Sequence, residues 1–95
     1  MNLDIMRVYT IPKEGEAIQY NGSNMNDISN KFNITYEELK SVTTYKGKCS
    51  KDIRIISNNG LSLELLLGDY VYKGDDGEIR VIPVYDMNEY WEIKE

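Results

Sequence analysis

Side chains able to bind or react concentrate in two places. Between residues 45 and 54 lie Tyr45, Lys46, Lys48, Lys51 and Arg54, opposed by a single acid, Asp52. Ammonium and guanidinium groups hold phosphate, and an interleaved aromatic ring stacks on a base. The stretch therefore reads as a basic loop for nucleic acid or for a small signalling nucleotide, or else as an ordinary solvated loop. Near the other end, Asp86, Glu89, Glu92 and Glu95 recur at every third residue. On a helix these carboxylates would run along one side, where they could occupy a partner protein's phosphate-binding groove or simply face solvent.

Catalytic constellations are scarce. The chain has no His, so acid or base work would fall to carboxylates, Lys or Tyr, and the lone Cys49 lacks an imidazole to activate it. "GDDGE" at residues 74–78 offers oxygen ligands but lacks the ligand spacing of a helix-loop-helix calcium site, so it reads as a turn. The expectation is a binding protein, not an enzyme, with no cofactor and no metal.

The elements that must carry these groups belong to one small domain. Ninety-five residues suffice for a single core. One Cys cannot form an internal disulfide, no stretch resembles a signal peptide, and the longest apolar run, Leu65 to Leu67, is too short to span a membrane. A cytosolic location is expected. The net charge of −5 is uneven: residues 1–48 hold six acids and six bases, residues 49–95 ten acids and five bases.

Alternation and turn residues predict a first hairpin of strands Arg7–Ile11 and Glu16–Tyr20 around Pro12, Lys13, Glu14 and Gly15. Ser23 or Asn24 can cap a helix whose apolar face is Met25, Ile28 and Phe32. Thr35 and Glu38 have capping-box spacing, which predicts a second short helix with Leu39 and Val42 inward. Residues 43–52 show neither period and read as a loop.

In "DIRIISNNGLSLEL", a three-residue loop ending in a left-handed Gly60 would pair Ile55 with Leu63, Ile53 with Leu65, Arg54 with Glu64 and Ile56 with Ser62. One face is then wholly aliphatic, and a one-residue slip destroys the pattern. A loop across Gly74–Gly77 would pair Lys73 with Glu78, Tyr72 with Ile79 and Tyr70 with Val81. Pro83 places the following strand at a sheet edge or ends it there. Met87 and Trp91 suggest a helical turn closing the core. The fold class expected is α+β, a twisted antiparallel sheet of about four to six strands with two short helices.

Two blocks, residues 16–28 ("EAIQYNGSNMNDI") and 53–92, resemble a widespread group of small phage and prophage proteins. Tyr20 matches the group's aromatic after Gln, and Gly22 its Gly. Gly68, Asp69 and Tyr70 match its "GDY", while Gly74, Gly77 and Glu78 match its hairpin turn and Met87 with Trp91 its terminal aromatic pair. Leu67 stands where the group usually has Pro, and Ile79 to Val84 depart from its usual sequence. The richness in Asn, Ile, Lys and Tyr fits an AT-rich coding source such as a low-GC bacterium or its phages.

The resemblance implies no established reaction. It does point to inhibition of a bacterial defence component by occlusion, anti-CRISPR in its most concrete form, in the host cytoplasm. A sponge for a small signalling nucleotide is the alternative, and a homodimer is among the assemblies allowed. A shorter stretch, "DISNKFNITYEELKSV", is similar to the paired helices of LysM modules, which implies sugar binding or a virion accessory role. Gly15 and an intervening strand do not fit the usual LysM opening.

Overall fold

The computed structural model describes residues 5–10, 13–56, 60–86 and 92–94. Its elements in chain order are β1 (Ile5–Thr10), β2 (Lys13–Gln19), α1 (Met25–Phe32), β3 (Thr35–Tyr45), β4 (Lys48–Ile56), β5 (Ser62–Leu65), β6 (Tyr70–Gly74), β7 (Ile79–Ile82) and β8 (Glu92–Lys94). The architecture is α+β with sheet predominating. Among the described residues helix occurs in α1 and over residues 84–86. The strands divide between two antiparallel sheets instead of forming the single sheet expected, with order β7-β6-β2-β1-β8 in one and β3-β4-β5 in the other.

The β4–β5 register is the one that alternation dictates: Ile53 faces Leu65, Arg54 Glu64, Ile55 Leu63 and Ile56 Ser62, with Gly60 at φ +85°. Ile53, Ile55 and Leu65 are buried and Leu63 packs beside them, all on the inward face. Across from them α1 lays down Met25, Ile28 and Phe32, and β2 and β6 add the facing pair Ile18 and Val71. These side chains form the main core. Each is worth roughly 1.5–3 kcal/mol of transfer free energy when fully buried. On the other face of β2 and β6, Ala17, Tyr70, Tyr72 and Ile82 make a second buried group.

Asn24 precedes α1, but its side chain does not cap the helix. Its Oδ1 accepts from the Asn21 amide at 3.0 Å and its Nδ2 donates to the Gln19 carbonyl at 2.8 Å, folding residues 19–24 into a compact bend. Asn33, left-handed at φ 56°, closes the helix.

The second predicted helix is β3. Thr35, Tyr36, Val42, Thr43, Thr44 and Tyr45 favour extended backbone, and pairing with the apolar β4 overrides the capping-box spacing of Thr35 and Glu38. A bulge between Glu38 and Val42 breaks the ladder there. Val42 is 53% exposed, so it does not point inward as expected. The LysM likeness needed a helix over this segment and loses it.

Two other expectations shift. Lys13, Glu14 and Gly15 belong to β2, not to a turn, and a Cβ on Gly15 would lie 2.4 Å from the Tyr72 ring. The β6–β7 pairing is displaced by one residue, with Lys73 opposite Ile79, Tyr72 opposite Arg80 and Tyr70 opposite Ile82. Its loop is Asp75–Gly77, closed by the Gly74 amide donating to the Glu78 carbonyl at 2.9 Å. As expected of Pro83, β7 is an edge strand that stops just before it. Met87 and Trp91 lie outside the described residues. Among those residues no helix is long and apolar enough to cross a membrane.

Candidate functional site

Residues 43–52, expected to be a loop, form the distal half of the β3–β4 hairpin. Tyr45 pairs with Lys48, Thr44 with Cys49, Thr43 with Ser50 and Val42 with Lys51. Lys46 and Gly47 make the two-residue turn with φ of 50° and 76°, the pair of positive values that matches strand twist. One side of this hairpin rests on the molecule. The Tyr20 hydroxyl lies 3.0 Å from Ser50 Oγ and donates to the Lys51 carbonyl at 3.0 Å, while Thr43 Oγ1 donates to Asp52 Oδ1 at 2.6 Å.

The surface beneath it is built by two short segments. Gln19–Asn21 leaves β2 and meets the turn Leu66–Asp69: the Tyr20 amide donates to the Asp69 carbonyl (2.9 Å), the Gly68 amide to the Tyr20 carbonyl (3.1 Å), and Gln19 Nε2 to the Gly68 carbonyl (3.0 Å). Gly68 sits at φ +96°, and a Cβ there would stand 2.8 Å from the Tyr45 ring. Only glycine provides both that conformation and that approach. The buried Asp69 carboxylate accepts from the Leu66 amide at 3.1 Å and the Val84 amide at 3.3 Å, tying this turn to the chain beyond Pro83. Burial raises its pKa above the usual carboxylate value. The two amide bonds oppose that rise, and the charges of Asp52 and Asp86 add to it.

Between hairpin tip and turn lies a cleft of about 150 Å³ lined by Gln19, Tyr20, Asn21, Tyr45, Lys46, Lys48 and Leu67. Tyr45 is half-buried and packs on the core, whereas Lys46 and Lys48 are exposed, with the Lys46 ammonium 5.4 Å from the Tyr45 ring centroid. Burial, and then the neighbouring Tyr45, push the Tyr70 hydroxyl pKa upward. Among the described residues neither lysine makes an ion pair. The cleft thus combines an aromatic and aliphatic wall with two available cations. Its volume is below the roughly 300–1,000 Å³ of a site that engulfs a drug-sized ligand, so it suits one ring or one protruding group.

Three of the five predicted basic-stretch residues, Tyr45, Lys46 and Lys48, come together here. Lys51 follows Ser50 along the strand and so points to the opposite side of the hairpin. Arg54 lies further along β4 and bonds Glu37 at 2.7 Å. The acidic series does not share a helix face, because Glu92 belongs to β8, opposite Tyr9. Asp86 is exposed, and Glu89 and Glu95 lie outside the described residues.

Cys49 is exposed on β4. "GDDGE" is a turn, with Asp76 Oδ1 accepting from the Glu78 amide at 2.9 Å. Among the described residues no three His, Cys, Asp or Glu side chains cluster closely enough to hold a metal ion. Sequence reasoning did not place Gln19, Tyr20, Asn21 and Leu67 in a site. The hint available was that Tyr20 and Gly68 both carry the phage-protein resemblance, and the fold sets them side by side.

Comparison of the chain with family models, with curated proteins and with solved structures gives no significant match.

Proposed function

We propose that the protein is a non-catalytic binding domain, phage- or prophage-encoded, that inhibits a bacterial defence component by occlusion, and that its contact surface is the Tyr45–Lys46–Lys48 end of the β3–β4 hairpin. The supporting observation is the cleft, where two exposed lysines and an aromatic ring border a turn containing Gly68 and Asp69. A partner presenting an anionic group beside a flat or apolar one matches that chemistry, through charge-assisted hydrogen bonds and ring contact. The acidic series at residues 86–95 is a weaker contact surface on this reading, because its members do not line one helix face.

Anti-CRISPR activity is the most concrete form of the proposal. The test is phage survival in cells carrying an active CRISPR nuclease and in cells carrying a nucleotide-signalling defence, with the parent chain and with Lys46→Gln/Lys48→Gln. The reading expects the parent to protect in at least one strain and the double variant to lose that protection at equal protein level. Protection in neither strain, or undiminished protection by the variant, overturns it.

A further inference from the structure

We infer that the cleft is a subsite for one nucleotide unit, its base held against Tyr45 and Leu67 and its phosphate on Lys46 and Lys48. This rests on the reading that the cleft is the contact surface, and names the chemistry it recognises. Size is the first observation. About 150 Å³ accommodates one planar ring system but not base, ribose and phosphate together, so the charged portion must remain at the mouth. The exposed ammonium groups of Lys46 and Lys48 border that mouth, and among the described residues neither has a carboxylate partner to displace.

The wall chemistry is the second observation. Gly68 packs closely against the Tyr45 ring, where an added Cβ would stand 2.8–3.0 Å from three adjacent ring atoms, so this contact restricts the ring before any ligand arrives. A restricted aromatic face stacks on a base with little loss of side-chain freedom. The Lys46 ammonium already lies near that ring, and a weak cation–π contact is readily exchanged for a charge-assisted bond to phosphate.

The cleft's amides add polarity of both kinds. Gln19 Nε2 is engaged by the Gly68 carbonyl, which leaves its oxygen as an acceptor. Asn21 Oδ1 takes the amide and hydroxyl of Ser23, which leaves its NH₂ as a donor. An acceptor and a donor in one small cleft suit the edge of a base, which itself presents both.

The nucleotide could be free in solution or one residue of a single strand, and binding measurements on the full chain separate these sources. Titrations would use AMP and UMP, inorganic phosphate, a cyclic dinucleotide and a ten-residue oligothymidylate, followed by calorimetry and by NMR of the tyrosine rings. The inference expects at least one mononucleotide, dinucleotide or oligonucleotide to shift the Tyr45 ring signals. It expects Lys46→Gln/Lys48→Gln to weaken that ligand roughly tenfold or more and to flatten its salt dependence, since phosphate contacts release counterions. Phosphate alone should bind much more weakly, for want of a ring.

Tighter binding of the oligonucleotide than of any free nucleotide assigns the site to a strand, and the reverse order to a free nucleotide. Tyr45→Leu, checked for unchanged melting, should weaken nucleotide but not phosphate. Absence of binding by every nucleotide probe overturns the inference, as does binding unchanged in the lysine variant. If nucleotides fail while Lys46→Gln/Lys48→Gln still abolishes protection in cells, the contact surface stands and only its nucleotide chemistry falls.

Discussion

Two hairpin tips of this molecule carry opposite charge and use it differently. At the β6–β7 tip, Asp75–Gly77, the polar groups close on their own backbone: Asp76 accepts from the Glu78 amide, Glu78 pairs with Arg80 at 2.9 Å, and Gly77 has open space around it. At the β3–β4 tip, Lys46 and Lys48 have no carboxylate partner among the described residues, and the adjoining Tyr45 lies against a second segment to leave a cleft. The first tip satisfies Asp76 and Glu78 within itself and leaves the exposed Asp75 carboxylate to solvent. The second leaves cations and a ring available, and that difference, more than net charge, locates the surface suited to binding.

Substitutions that separate the tips test this contrast. Gly68→Ala should have the largest effect, about 2–4 kcal/mol of lost stability, because it combines a left-handed conformation with displacement of the Tyr45 ring. Urea unfolding measures it, and a loss no greater than that at an open left-handed glycine would remove the cleft's structural basis.

Asp69→Ala should cost about 2 kcal/mol, since the Leu66 and Val84 amides both lose their acceptor. The carboxyl also carries a pH signature. Its folded pKa is raised, so the folded state holds the proton more tightly than the unfolded chain does, and ionisation of Asp69 at neutral pH works against folding. As pH falls through the folded pKa towards the ordinary carboxylate value, wild-type stability should improve relative to Asp69→Asn. An NMR midpoint for Asp69 at or below the ordinary carboxylate value would contradict this.

Gly77→Ala should cost least, about 1 kcal/mol from backbone strain alone, because nothing lies within 4 Å of its added methyl group. Tyrosine-ring NMR signals from the cleft should not move, and a shift in them would show that the tips are coupled.

Legibility in the sequence followed the same division between local and non-local causes. The β4–β5 register was readable because Ile53, Ile55, Leu63 and Leu65 alternate with polar neighbours and only one pairing satisfies all of them. The β6–β7 register was off by one. Both faces of β6 are largely buried, so alternation gave no correction, and counting Gly74 into the loop moved every pair. Asp75-Asp76-Gly77 forms a three-residue loop ending in left-handed Gly77, and a loop of that length gives the observed pairing.

The helix α1 and its buried face were readable from local periodicity. The strand β3 was not, because Thr35 and Glu38 imitate a capping box while the deciding interaction, pairing with β4, is non-local. The Lys46-Gly47 turn was missed because glycine alone marked it. Charge pointed to Tyr45, Lys46 and Lys48. Gln19, Tyr20, Asn21 and Leu67 come from elsewhere in the chain, and only the fold brings them to that tip.

The most direct test reverses charge at each tip in turn and measures phage survival in the defence strain that the parent protein disarms. Lys46→Glu/Lys48→Glu should abolish protection while melting and expression stay near the parent's, and Asp75→Lys should leave protection intact. Loss of protection on reversing Asp75, with protection retained after reversing Lys46 and Lys48, would contradict the assignment of the binding surface to the β3–β4 tip.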